Sequence, residues 1–127
     1  MKKLETIETS NAPKPIGAYS QAKKIGNIIF TSGQIGIDPN TNEMKNKTIE
    51  EEIIQVIENI KAIVEAGGAK LENVIKVNIY LKDMKYFQIL NEVYGKYFKN
   101  RPARTTLQVS ALPKNARIEM DVVAILY

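Results

Sequence analysis

Two residues near the C-terminus have the chemistry to handle a small acid. Arg104 follows Pro102-Ala103 and precedes Thr105-Thr106, so its guanidinium projects from the start of a strand, where packing can hold it still. A planar, permanently charged fork of that kind reads a carboxylate through two parallel hydrogen bonds, which the point charge of a lysine cannot do. Glu119 stands between Ile118 and Met120 on a strand otherwise rich in β-branched residues, a place from which a carboxylate can hold and orient a water molecule. The plainer alternatives are an ion pair with Glu119 or a rim position for the arginine, and an exposed strand charge for the glutamate. Tyr19 and Ser32 can donate hydrogen bonds to a small ligand, or serve as core and turn residues. Asn91 is polar beside the apolar stripe of a helix, where simple solvation would account for it.

What is missing narrows the chemistry further. The 127 residues include no histidine and no cysteine. The usual general base near neutral pH and the commonest metal ligand are therefore absent, along with thiol nucleophiles, thiolate metal sites and disulfides. Hydrolysis by Ser-His-Asp or Cys-His machinery is excluded. Gly33-Gln34-Ile35-Gly36 is not a phosphate loop, since no Gly-Lys-Ser/Thr follows and the next helix is a long loop away. The net charge of +4 comes from lysines scattered among acidic residues rather than gathered in a stripe, which reads as solubility and not as a nucleic-acid surface. Residues 85–101 mix aromatic with basic side chains, as single-strand RNA platforms do, yet their helical spacing assigns most of the rings to a core.

These residues need a scaffold. A chain 44% hydrophobic and 25% charged has the composition and size of one globular domain spanning residues 1–127. No apolar run has signal-peptide or membrane-spanning length, so a soluble, untargeted, cytoplasmic protein is expected, with no membrane partner. Residues 2–8 read as an edge strand. Residues 19–24 and 28–32 flank Gly26-Asn27 as a hairpin. Two glycines within Ser32 to Pro39 predict a bulge or close backbone approach, and residues 38–46 read as a polar loop. Thr48 with Glu51 caps a helix whose stripe of Ile49, Ile53, Val56, Ile57, Ile60, Ile63 and Val64 ends at Gly67-Gly68. The strand 73–81 puts Ile75, Val77, Ile79 and Leu81 on one face. A second helix capped by Asp83 runs to about Phe98 with Phe87, Leu90, Tyr94 and Tyr97 or Phe98 inward. Strands 104–109 and 117–126 close the chain.

This order predicts an α+β sandwich with both helices on one face of a mixed sheet. Period-two alternation puts Arg104, Thr106 and Gln108 on one side of their strand, and Arg117, Glu119 and Asp121 on one side of the next. Taken as the sides away from the helices, they leave a polar but partly apolar face without a lid, either wet or a subunit interface.

Residues 17–22 (Gly-Ala-Tyr-Ser-Gln-Ala), Ser32 to Pro39, Pro102 to Val109, Leu112-Pro113 and Ile118-Glu119-Met120 together resemble the RidA family, also called YjgF/YER057c/UK114, over almost the whole chain. The resemblance implies a chorismate-mutase-like fold, a homotrimer with sheets facing inward, and a ligand cleft at each subunit boundary. It also implies hydrolysis of 2-iminobutanoate and 2-iminopropanoate, released by pyridoxal-phosphate enzymes such as threonine dehydratase, to 2-ketoacids and ammonia. By motif, Arg104 is implied to clamp the carboxylate and Glu119 to position water, with Tyr19, Ser32, Gly33, Asn91 and Thr106 lining the pocket. RNA binding or endoribonuclease activity, also attached to this family, and a non-catalytic acid-binding trimer are the alternatives. Ala18 stands where many members have proline and Thr106 where some have cysteine, and the link into Pro102 is shorter than in several relatives. Imine hydrolysis suits the composition, because positioning a carboxylate beside one water requires no nucleophile, metal or cofactor.

Overall fold

A computed structural model describes residues 2–127. The chain forms β1 (Leu4–Ile7), β2 (Ala22–Ile25), β3 (Ile28–Thr31), β4 (Ile37–Asp38), β5 (Glu43–Met44), α1 (Ile49–Ala66), β6 (Val74–Leu81), α2 (Phe87–Tyr97), β7 (Ala103–Gln108) and β8 (Ile118–Ile125). Six strands make one mixed sheet in the order β1-β2-β3-β8-β6-β7, and β4 pairs with β5. That small hairpin occupies the stretch expected to be a polar loop.

The local signals act where the sequence places them. Thr48 Oγ1 accepts from the Glu51 amide at 3.0 Å and starts α1. Ile53, Val56, Ile57, Ile60, Ile63 and Val64 are fully buried along it, each contributing roughly 1.5–3 kcal/mol of apolar transfer. Gly67 ends the helix against the side chains of Ile7 and Ile29, leaving no room for a Cβ. Gly26 takes φ 58 in the β2–β3 turn, a left-handed geometry that glycine adopts without penalty. Asp83, expected to cap the second helix, instead caps a short 3-10 turn at Met84–Tyr86 that leads into α2, whose own N-cap is Tyr86.

Both helices cover one face of the sheet, and Val77, Ile79, Leu81, Ile118, Met120, Val122 and Ala124 meet them in the main core. The other face is open. It carries Leu4, Ile25, Phe30 and Leu107, all exposed, beside a polar ladder in which Asn78 Nδ2 donates to Asp121 at 2.9 Å and Lys76 Nζ to Thr105 at 2.8 Å. Such a mixture suits contact with another surface better than bulk water.

Three expectations about faces are corrected. A bulge between Val74 and Lys76 turns Ile75 outward, and Val74 takes its inward place. Phe87 is exposed, while Val93 joins Leu90, Tyr94 and Phe98 inside. The largest correction concerns β7. Arg104, Thr106 and Gln108 register with Val77, Ile79 and Leu81, so they look toward the helix side and not toward the open face. Glu119 registers with Tyr80, and Asp121 with Asn78, on the open side. No described helix is long and apolar enough to cross a membrane.

Candidate functional site

Arg104 sits on an edge strand, with its side chain folded back onto α2. Its Nη2 donates to Asn91 Oδ1 at 2.8 Å, and its guanidinium lies over the rings of Tyr94 at 4.9 Å and Phe87 at 5.6 Å. The arginine and Asn91 thus meet, and the polar residue on the helix surface has a task beyond solvation. Stacking plus a neutral acceptor fixes the fork without spending its charge. Among the described residues the one ion pair is Arg117 with Glu52 at 2.7 Å, so the expected alternative of an Arg104–Glu119 pair is not formed. The guanidinium borders a crevice of about 500 Å³ between α2 and β7, lined also by Asn91, Tyr94, Phe98 and Pro102.

Two hydroxyls near it are unusual. Tyr94 Oη and Thr106 Oγ1 are buried with no hydrogen-bond partner among the described residues, a condition that costs about 1–3 kcal/mol per group. Burial pushes the Tyr94 phenol up to about 12, against the opposing pull of Arg104, so it stays protonated. Thr106 lies two residues beyond Arg104 on the same side of β7.

The acidic residue belongs to a second region. Glu119 lies against the backbone of Gly33, where a Cβ would stand 2.8 Å from the carboxyl carbon. Only glycine permits that approach. Burial, and then the negative charge of Asp121, raise the Glu119 carboxyl above the usual range. Tyr80, on β6, is raised by its own burial and then by the negative charge of Asp121. Tyr19 and Gly33 line one narrow crevice with Ile16 and Gln21. The Tyr19 hydroxyl accepts from the Ile16 amide at 3.1 Å. Ser32 Oγ donates to the Ser20 carbonyl at 2.6 Å, which ties the loop bearing Tyr19 to the end of β3.

The Gly33 segment is held from beneath by residues that sequence reasoning missed. Gln34 pairs with Met120 through amide-to-carbonyl bonds of 2.8 and 3.0 Å. Asn59, fully buried on α1, donates to the Ile35 and Ile37 carbonyls at 3.1 and 2.9 Å. Glu52, also fully buried, packs on Gly36 and accepts from the Arg117 amide and Nε. Their signal was a polar residue breaking the apolar stripe of α1, at positions 52 and 59, one heptad apart.

The structure therefore joins Arg104 with Asn91 and sets Thr106 on the same side of β7. Separately, it joins Glu119 with Gly33, and Gly33 with Tyr19. It does not join Arg104 with Glu119. Strand β6 lies between β7 and β8, and the two side chains leave opposite faces of the sheet. Either half could bind a piece of a small acid, the first its carboxylate and the second a water at its electrophilic carbon.

Residues 9–126 match the family described as Endoribonuclease L-PSP. A RutC family protein of Saccharolobus solfataricus is 56% identical over 121 residues, covering 94% of this chain and 96% of that one. A 2-iminobutanoate/2-iminopropanoate deaminase of Homo sapiens is 44% identical over 120 residues, covering 94% and 88%. The crystal structure of E. coli TdcF with bound serine superposes with a TM-score of 0.93 at 35% identity, covering 97% and 99%.

Proposed function

This chain belongs to the RidA family, the family described as Endoribonuclease L-PSP, and on that premise we propose that it hydrolyses 2-iminobutanoate and 2-iminopropanoate to 2-ketoacids and ammonia. One observation carries the reading: Arg104 is held rigidly by Asn91 and two rings while no described residue pairs its charge at the mouth of a crevice. An arginine that served only the fold would be expected to meet a carboxylate of its own chain.

In this reading the substrate carboxylate takes up the remaining donors of the Arg104 fork. The protonated imine carbon is then fixed in place as an electrophile. Glu119 accepts a proton from one water, whose oxygen adds to that carbon. The carbon–nitrogen bond breaks, nitrogen leaves as ammonia, and the ketoacid remains. Holding two reactants in contact replaces a bimolecular encounter and supplies much of the acceleration. A carboxyl with a raised pKa suits a proton acceptor that must also return the proton. The serine held by TdcF is a small acid of matching size, and the curated human and Dermatophagoides farinae relatives carry the deaminase name.

Because Arg104 and Glu119 leave opposite faces of one chain, the complete site is proposed to form between copies, in a homotrimer whose open sheet faces cover one another. Arg104 with Thr106 comes from one copy, and Glu119 with Tyr19, Ser32 and Gly33 from the next. The imines are proposed to come from pyridoxal-phosphate dehydratases in the cytoplasm.

Mixing tests this directly. Arg104→Ala and Glu119→Gln chains, each inactive alone in accelerating ammonia release, are unfolded together and refolded. Recovery of about a quarter of the wild-type activity per site is expected if each site draws on two copies. No recovery on mixing places both groups in one chain, or removes one of them from the chemistry. Ligand binding without turnover by the wild-type chain would make it an acid-binding trimer. RNA cleavage that survives purification and weakens with salt would favour the nuclease reading instead, although Tyr94 and Phe98 are buried.

A further inference from the structure

The crevice between α2 and β7 offers more positive charge than one carboxylate needs. Lys99 and Arg101 line it together with Arg104, and no acidic side chain does. None of the three cations is ion-paired among the described residues. Tyr94, on its wall, adds the buried hydroxyl that has no partner among the described residues.

The backbone at Arg101 argues that this arrangement is built. Its φ is 52, in the left-handed region, where a long side chain is disfavoured and glycine is at ease. Pro102 directly after it restricts the residue further. Such a geometry persists only where the surroundings impose it, and it tends to mark ligand sites. Here the surroundings are visible. The Arg101 amide donates to the Phe98 carbonyl at 3.1 Å, Asn100 Nδ2 donates to the Glu72 carbonyl at 3.0 Å, and buried Phe98 stacks on Tyr94 with centroids 4.4 Å apart. The turn holds the Arg101 backbone where glycine would relieve it, with the side chain exposed beside the crevice.

We propose that Arg101 and Lys99 form a second anion subsite beside Arg104, so that the preferred substrate is a 2-imino dicarboxylic acid. This rests on the imine-hydrolysis reading above. Arg104 takes the carboxylate next to the imine carbon, and Arg101 with Lys99 takes the distal one. The reaction balances as before: water supplies the ketone oxygen, the carbon–nitrogen bond breaks, and ammonia and a 2-keto diacid leave.

The test generates 2-iminopropanoate from alanine and 2-iminoglutarate from glutamate with amino-acid oxidases, and follows their hydrolysis by the full chain. Wild type is expected to show kcat/KM for the diacid imine at least about tenfold above that for the monoacid, one well-made charged contact being worth about a decade. Arg101→Gly and Lys99→Ala should erase most of that ratio through KM, with monoacid turnover unchanged. Arg101→Gly should also melt no lower than wild type, since it relieves the left-handed backbone, which separates loss of the subsite from loss of the fold. Monoacid turnover without a diacid preference, or a preference that survives both substitutions, overturns the subsite and leaves imine hydrolysis standing. Absence of turnover with either imine overturns both.

Discussion

The two halves of the candidate site are built by opposite means. The cationic half at β7 and α2 is assembled from side chains: a neutral amide and two rings steady Arg104, and among the described residues no carboxylate discharges it. The acidic half at β8 and the Gly33 segment is assembled from backbone: a glycine lets Glu119 lie against the main chain, and buried Asn59 and Glu52 hold that main chain from below. The first half exports an unspent charge. The second makes a charge harder to form, since burial and Asp121 both favour the protonated carboxyl. An anion clamp needs permanent charge, whereas a proton acceptor works best when its two states are closer in free energy.

If this contrast is correct, the two halves break differently. Arg104→Lys keeps the charge and loses both the fork and the stack, so kcat/KM should fall on the order of 100- to 1000-fold, as loss of about 3–4 kcal/mol of charged contact implies. Thermal denaturation should be nearly unchanged. Near-normal turnover by the lysine variant would mean that charge alone suffices and that the geometry at Asn91 is incidental.

Gly33→Ala sharpens the other half. A Cβ there collides with the Glu119 carboxylate, and a displacement of about 1 Å is expected to lower kcat by roughly 10- to 100-fold. Binding of a 2-ketoacid through Arg104 should survive, which titration calorimetry can check. Ketoacid affinity falling as far as kcat would show that the two halves are not separable.

The smallest effect is a shift in pH dependence. The negative charge of Asp121 is, after burial, the second cause of the raised Glu119 carboxyl, so Asp121→Asn lowers that pKa. A group active when ionised then ionises at lower pH, and the acid limb of the kcat/KM profile moves to lower pH with little change at the plateau. Movement to higher pH, or none, would remove Glu119 as the titrating base.

The contrast also marks how much the sequence disclosed. Arg104, Glu119 and Gly33 were legible because their neighbours are distinctive: Pro-Ala before the arginine, aliphatic residues on both sides of the glutamate, and two glycines within strand-like sequence. Asn59 and Glu52 were not, since polar residues inside an apolar stripe look like surface positions until the β3–β4 segment is seen crossing above them. Ile75 was misplaced because strict alternation cannot foresee a bulge.

By itself the sequence determined the main elements, the Thr48 cap, the inner stripe of α1 and the residue types available for chemistry, because helix and strand periods are set by neighbours only a few residues apart. It could not decide which side of β7 faces α2, since a period of two sorts residues into two sets without saying which set is inside. Only the tertiary structure decided that. The parallel pairing of β7 with β6, across α2, sets β6 between the arginine and the glutamate and sends them to opposite faces. Strand order is a long-range choice, made by the burial of whole faces and not by any residue's immediate neighbours.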